Sequence, residues 1–151
     1  MDRKERRVLV TGSRDWVDRA AVEQALEEQF YTHTDIRQVM VVVHGDNPTG
    51  ADAIADDWAE KMAEGGLVRA ERHPAEWDAD CGMGCPGHRR ARPDGSTYCP
   101  VAGHLRNQRM VDLGAEVCLA FPLGTSRGTR DCMRRARRAG IRVVNLGRVL
   151  R

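Results

Sequence analysis

Residues Val39 to Met62 read "VMVVVHGDNPTGADAIADDWAEKM". The run opens with consecutive apolar residues, Val39 to Val43, most of them β-branched, and then breaks at His44-Gly45. An unbroken apolar run, without the alternation of a half-exposed strand, suits a strand buried on both faces of a parallel sheet. After Gly45 comes a turn that closes at Gly50. From there Ala51, Ile54, Ala55, Trp58, Ala59 and Met62 recur at helical spacing up to Gly65-Gly66. Strand, glycine-bounded turn and amphipathic helix in that order make the repeating half of a βαβ unit.

The same alternation extends in both directions. "RVLVTG" (Arg7–Gly12), "EVCLAFP" (Glu116–Pro122) and "IRVVNL" (Ile141–Leu146) are further buried-strand candidates, and "LVRAERH" (Leu67–His73) is a weaker one suited to an edge. Val22, Ala25, Leu26 and Phe30 make one helical stripe; Met110, Val111 and Leu113 precede Gly114; Cys132, Met133, Ala136 and Ala139 precede Gly140. The expected fold is α/β: a Rossmann-like three-layer sandwich with a mostly parallel sheet, right-handed crossovers and a Cys/His-rich insertion. Residues 1–151 are expected to form one domain, with 74–103 as the insertion. Cys118 and Cys132, on a strand and on a helix stripe, read as core residues.

The chain has 151 residues, 41% hydrophobic and 30% charged, which is a globular composition. No apolar run reaches the roughly 20 residues that span a bilayer. The opening "MDRKERRVLVTG" is too short in apolar residues for a signal-peptide core. A cytoplasmic protein with no membrane partner is expected, and five cysteines, an odd number, argue against a disulfide framework. A net charge of +2 favours a small ligand over nucleic acid. "RRARR" (Arg134–Arg138) reads as a solvated helix face before a DNA-binding patch.

In an open α/β sheet, ligands bind beyond the carboxyl ends of the strands, so the loops there carry the site. After the first strand stand Gly12, Ser13 and Arg14, suited to a phosphate at a helix N-terminus, with Asp18 placed to cap the helix. After the second stand His44, Gly45, Gly50 and Asp52, with Thr49 as the expected cap. After the fourth come Gly124, Ser126, Gly128 and Thr129, where backbone N–H groups and a helix dipole would converge on an anion. Arg106 would neutralise charge and Asn107 would hydrogen-bond a ribose or base. Trp16 and Trp77 follow strands, placed to stack on a base or to cover the core rim; Trp58 lies on a core stripe.

"RVLVTGSRDW", "VVHG", "TGADAIADDWA", "HPAEW", "RNQRMVD" and "AFPLGTSRGTRDCMRRARRAGI" resemble the YspA/YpsA-related branch of the SLOG superfamily. These are Rossmannoid domains related to the LOG-type nucleotide phosphoribohydrolases and to the DNA-processing DprA/Smf proteins. The resemblance covers nearly the whole chain outside Cys81–Pro100. It implies a nucleotide or nucleotide-derived ligand, of phosphoribosyl or ADP-ribosyl type, bound above the sheet by a sensor or effector module, and a homodimer. It also implies an alternative, a nucleoside-monophosphate N-glycosidase. LOG-type enzymes carry R-x-x-x-M, matched by Arg106 and Met110, and P-G-G-x-G-T-x-E-E, in which Gly128-Thr129 match the G-T pair. Asp131 then stands where the functional Glu would, so Arg106 and Asp131 would be the catalytic pair. The loop departs from the pattern: it starts Pro122-Leu123-Gly124 and has additional residues before Gly128. Asp is also one methylene shorter than Glu, and a misplacement of about 1 Å can cost ~10²-fold in rate.

The insertion holds Cys81, Cys85, His88 and Cys99, and with His104 just beyond it the spacing is C-x3-C-x2-H-x10-C-x4-H. Thiolate and imidazole at such steps suit tetrahedral structural zinc, with Cys81, Cys85, His88 and Cys99 as ligands and His104 as competitor for a place. "RPDGS" (Arg92–Ser96) reads as the turn at the tip. The bland alternatives are a loop with reduced thiols or a redox-active cysteine pair. A zinc-stapled basic knuckle would also make a zinc-dependent nucleic-acid-binding protein the third functional expectation.

Overall fold

The computed structural model describes residues 3–32, 37–79 and 89–149. The strands are β1 (Lys4–Gly12), β2 (Gln38–His44), β3 (Val68–Arg72), β4 (Arg90–Ala91), β5 (Thr97–Tyr98), β6 (Val117–Phe121) and β7 (Arg142–Asn145). The α-helices are α1 (Arg19–Tyr31), α2 (Gly50–Met62), α3 (Ala102–Asp112) and α4 (Arg127–Arg138). Five strands form one sheet in the order β3-β2-β1-β6-β7, every neighbouring pair parallel. β4 and β5 form a separate antiparallel hairpin. The chain runs outward from β1 through β2 to β3, then returns to the other side of β1 for β6 and β7. The gap between β1 and β6 is therefore a topological switch point, where the carboxyl ends of an open sheet leave a crevice.

Two apolar layers sandwich the sheet. On one face Val8, Val10, Met40, Val42 and Leu119 pack on α1 and α2 through Val22, Leu26, Ile54 and Trp58. On the other, Leu9, Val41, Val43 and Cys118 meet Met110, Val111, Cys132 and Ala136 of α3 and α4. Consecutive residues of β1 and β2 thus feed opposite cores, which is why these strands read as unbroken apolar runs. Each fully buried Val or Leu stabilises the fold by roughly 1.5–3 kcal/mol. A single Val42→Asp would remove one such contribution and bury an unpaired charge.

Helix ends follow local chemistry. Asp18 caps α1 by accepting from the Ala21 amide at 3.1 Å. Thr49, expected to cap α2, makes no capping bond; its hydroxyl donates to the Arg14 carbonyl at 3.0 Å, joining the loops after β2 and β1. α4 ends in Arg135, Arg137 and Arg138, which suit the negative end of its dipole, before Gly140 at φ 81°.

The turn at Arg92–Ser96 is closed by the Gly95 amide on the Arg92 carbonyl at 3.0 Å, with Asp94 accepting from the Ser96 amide. The structural zinc does not stand. Among the described residues no group of three or more His, Cys, Asp or Glu could hold a metal ion. Cys99 is buried, its amide donating to the Trp77 carbonyl, and His104 is directed towards Asp131, 4.0 Å away. Cys81, Cys85 and His88 lie outside the described residues. Among the described residues no helix is long and apolar enough to cross a membrane.

Candidate functional site

At the switch point a cavity of about 290 Å³ is lined by the end of β1 and the loops beyond β1, β2 and β6, together with α3. Gly12, Ser13, Arg14, Gly45, Asp52, Arg106, Asn107, Ser126, Gly128 and Thr129, all named from sequence, line it. Thr11, Asp15, Asn47 and Met110 line it as well.

The loops are locked together before any ligand is considered. The Ser13 amide donates to the Phe121 carbonyl, and the Ser13 carbonyl accepts from both Trp16 and Ala51. Gly50 sits at φ +76°, and a Cβ there would lie 2.2 Å from the Ser13 oxygen. Only glycine permits both that conformation and that approach. Gly50 thus shapes the wall without lining the cavity. Gly124 is likewise set back: its amide donates to the Arg148 carbonyl and its carbonyl accepts from Arg130.

Arg106 is buried and forms the floor. Its Nη1 donates to the Gly45 carbonyl at 2.6 Å and its Nε to Asn107 Oδ1 at 2.9 Å. Burial lowers its pKa, opposed by the nearby Asp52 charge. Among the described residues its Nη2 donates to nothing, and no buried side-chain donor is left without a partner, so that nitrogen reaches solvent. Asn107 is fully engaged, with Nδ2 donating to the Gly128 carbonyl and to Asp131, both at 3.1 Å. It ties α3 to the start of α4.

Asp52 is the buried carboxyl of the cavity. Burial pushes its pKa above the ordinary value, against the pull of His44 and Arg106. Asn47 donates to it through its side chain at 3.0 Å. No spacing rule exposes Asn47, because its position depends on the turn at Asp46, a non-glycine residue at φ 57°. His44 lies beneath the cavity, outside its lining. Its Nδ1 accepts from the Asp46 amide, so its Nε2–H faces Asp56, 2.8 Å away. Asp131 is also outside the lining and sits between α3 and α4. Burial alone would raise its pKa, but hydrogen bonds from Arg135 and Asn107 hold it below the ordinary value.

The tryptophans take rim and core positions. Trp16 is buried edge-on against Phe121, with Arg148 over its ring. Trp77 packs beside Tyr98 and under the Arg14 guanidinium, 5.9 Å from the ring centre. Trp58 is buried in the core.

The carboxyl rim thus presents a small concave site with two arginines, a buried carboxyl and the start of a helix. The N–H groups of Arg127, Gly128 and Thr129 occupy the first turn of α4, where helix geometry supplies no carbonyl partner. Such an arrangement suits an anion flanked by hydroxyls. A family model described as "YspA, cpYpsA-related SLOG family" matches residues 6–79. The "Gene 61 protein" of Mycobacterium phage D29 is 46% identical over 143 residues, covering 94% of this chain and 97% of that relative. No solved structure gives a significant match.

Proposed function

The chain belongs to the YspA, cpYpsA-related SLOG family, and on that footing we propose that its switch-point cavity binds a nucleotide or nucleotide-derived ligand as a sensor or effector module. One observation carries the reading: Arg14, Arg106 and the Ser126–Thr129 turn, far apart in sequence, line one cavity. In this reading the first-turn N–H groups of α4 and the Arg14 guanidinium hold a phosphoryl group. Arg106 Nη2 supplies a charged donor from below, and the Asp52 carboxyl accepts or donates to a sugar hydroxyl.

The hydrolytic alternative would use Arg106 and Asp131. Asp131 is bonded to Asn107 and Arg135 and does not line the cavity, so binding without turnover is the first reading. Calorimetry with a panel of nucleoside monophosphates and dinucleotides, run beside chromatography for released base, tests it. One nucleotide class is expected to bind saturably with no base released. Loss of a charge-assisted bond predicts that Arg14→Ala, on the rim, and Arg106→Ala, on the floor, each weaken binding by about tenfold or more. Absence of any binder at millimolar concentration, or unchanged affinity in a folded Arg14→Ala variant, would overturn the proposal.

A further inference from the structure

On the far side of the Ser126–Thr129 turn lies a second cavity, of about 580 Å³, between the β4–β5 hairpin and α4. Arg90, Arg127, Arg130, Arg134 and His104 face it. The arginines come from two elements, the hairpin and α4, with His104 of α3 beside them, so a solvated face of one helix does not account for them. Asp131 is near, 4.0 Å from His104 and 3.7 Å from Arg134, but it is already bonded to Arg135 and Asn107. Arg130 reaches the Gly124 carbonyl. Arg90 and Arg127 have no carboxylate partner among the described residues. Clustered guanidinium groups with so little opposing charge repel one another and focus a positive potential into the concavity.

The two cavities share one stretch of chain. Ser126, Gly128 and Thr129 line the first; Thr125, Arg127 and Arg130 line the second. Neighbouring Cα atoms are about 3.8 Å apart, so the cavities are separated by a single turn of backbone. The first, at about 290 Å³, lies at the lower end of the ~300–1,000 Å³ usual for small-ligand pockets. A ligand larger than a mononucleotide would have to leave it, and the arginine groove is adjacent.

We propose that the groove holds a second phosphate of the same ligand, which makes that ligand a nucleoside bisphosphate or dinucleotide rather than a monophosphate. The inference rests on nucleotide binding in the first cavity. Calorimetry would compare a nucleoside 5′-monophosphate, its 3′,5′-bisphosphate, a dinucleotide and inorganic phosphate on wild type and on an Arg90→Ser/Arg134→Ser variant, both positions exposed and outside the first cavity. The bisphosphate or the dinucleotide is expected to bind at least about tenfold tighter than the monophosphate. The double variant, with its melting temperature checked, is expected to erase that gain and leave the monophosphate unchanged. Equal affinities in wild type, or a gain that survives in the double variant, would overturn the groove assignment and leave the first cavity standing. Absence of binding by every nucleotide would overturn both. Inorganic phosphate that raises monophosphate affinity to the bisphosphate level would mean two separate ligands and overturn the proposal. Tighter, salt-sensitive binding of a short single-stranded oligonucleotide, lost in the double variant, would overturn it in favour of a nucleic-acid surface.

Discussion

Gly45 has no room for a side chain: a Cβ there would lie 2.4 Å from Arg106 Nη1 and 3.0 Å from Asp52 Oδ2. Gly12 is tighter in kind, since its Cβ would meet Ala51 Cβ at 2.4 Å and Phe121 Cβ at 3.0 Å, atoms fixed to backbone. Neither glycine is in the left-handed region, so space and not conformation demands them. Gly12→Ala is expected to cost roughly 1–3 kcal/mol in urea unfolding. Gly45→Ala should cost less stability, because a guanidinium can move. It should cost more in nucleotide affinity than in stability, because the group that moves is the cavity floor. Equal and small effects in both variants would mean that the loops are looser than these contacts require. Both glycines were legible in sequence as loop glycines; the reason for them was not, since Arg106 and Phe121 are remote in the chain. Cys99 makes the opposite case. Its spacing to Cys81, Cys85 and His88 suggested a metal ligand, but it is buried beside the Trp77 backbone, and the described residues contain no metal-holding group. Spacing records which side chains could meet, not which way each one turns.

The edge strand β3 is tied to β1 across β2. Arg7 of β1 donates to Glu71 of β3 through Nη1 at 2.9 Å, and His73 Nε2 lies 2.8 Å from the same carboxylate. Arg7, foremost, and His73 hold the Glu71 pKa down from 4.5 to about 2. A depressed carboxylate contributes stability that is complete above the unfolded value of 4.5 and fades as pH falls from 4.5 towards 2. For a pair partly open to water that contribution is on the order of 1–2 kcal/mol. Urea midpoints at pH 6 and pH 3.5 are expected to fall further for wild type than for Glu71→Gln; parallel falls would remove Glu71 from the acid sensitivity. Periodicity locates the five strands of the sheet and the four helices but not all their ends, since β1 begins at Lys4, α3 begins at Ala102 and the β4–β5 hairpin carries no such pattern; "LVRAERH" suits an edge, where β3 lies. The ion pair was not readable, because it depends on β3 lying two strands from β1 on one face of the sheet.

Burial is uneven across the molecule. β1, β2 and β6 are the inner strands, paired on both sides and covered on both faces, while the β4–β5 hairpin has two residues per strand and is largely exposed. Amide exchange should accordingly be slowest in Val8–Val10, Val41–Val43 and Val117–Ala120, and fastest in Arg90–Tyr98. Comparable protection in hairpin and inner strands would mean that the hairpin belongs to the same cooperative unit. By itself the amino-acid order determined the α/β class, the succession of elements and the loops that carry the candidate site, because periodicity records the burial of each element on its own neighbours. Only the tertiary structure decided the strand order that opens the crevice between β1 and β6. It alone turned Asp52 towards the cavity and Asp131 away from it, and drew Arg90 and His104 to the arginines of α4. Those relations join residues tens of positions apart, and their distances follow from how layers pack, which no local spacing encodes.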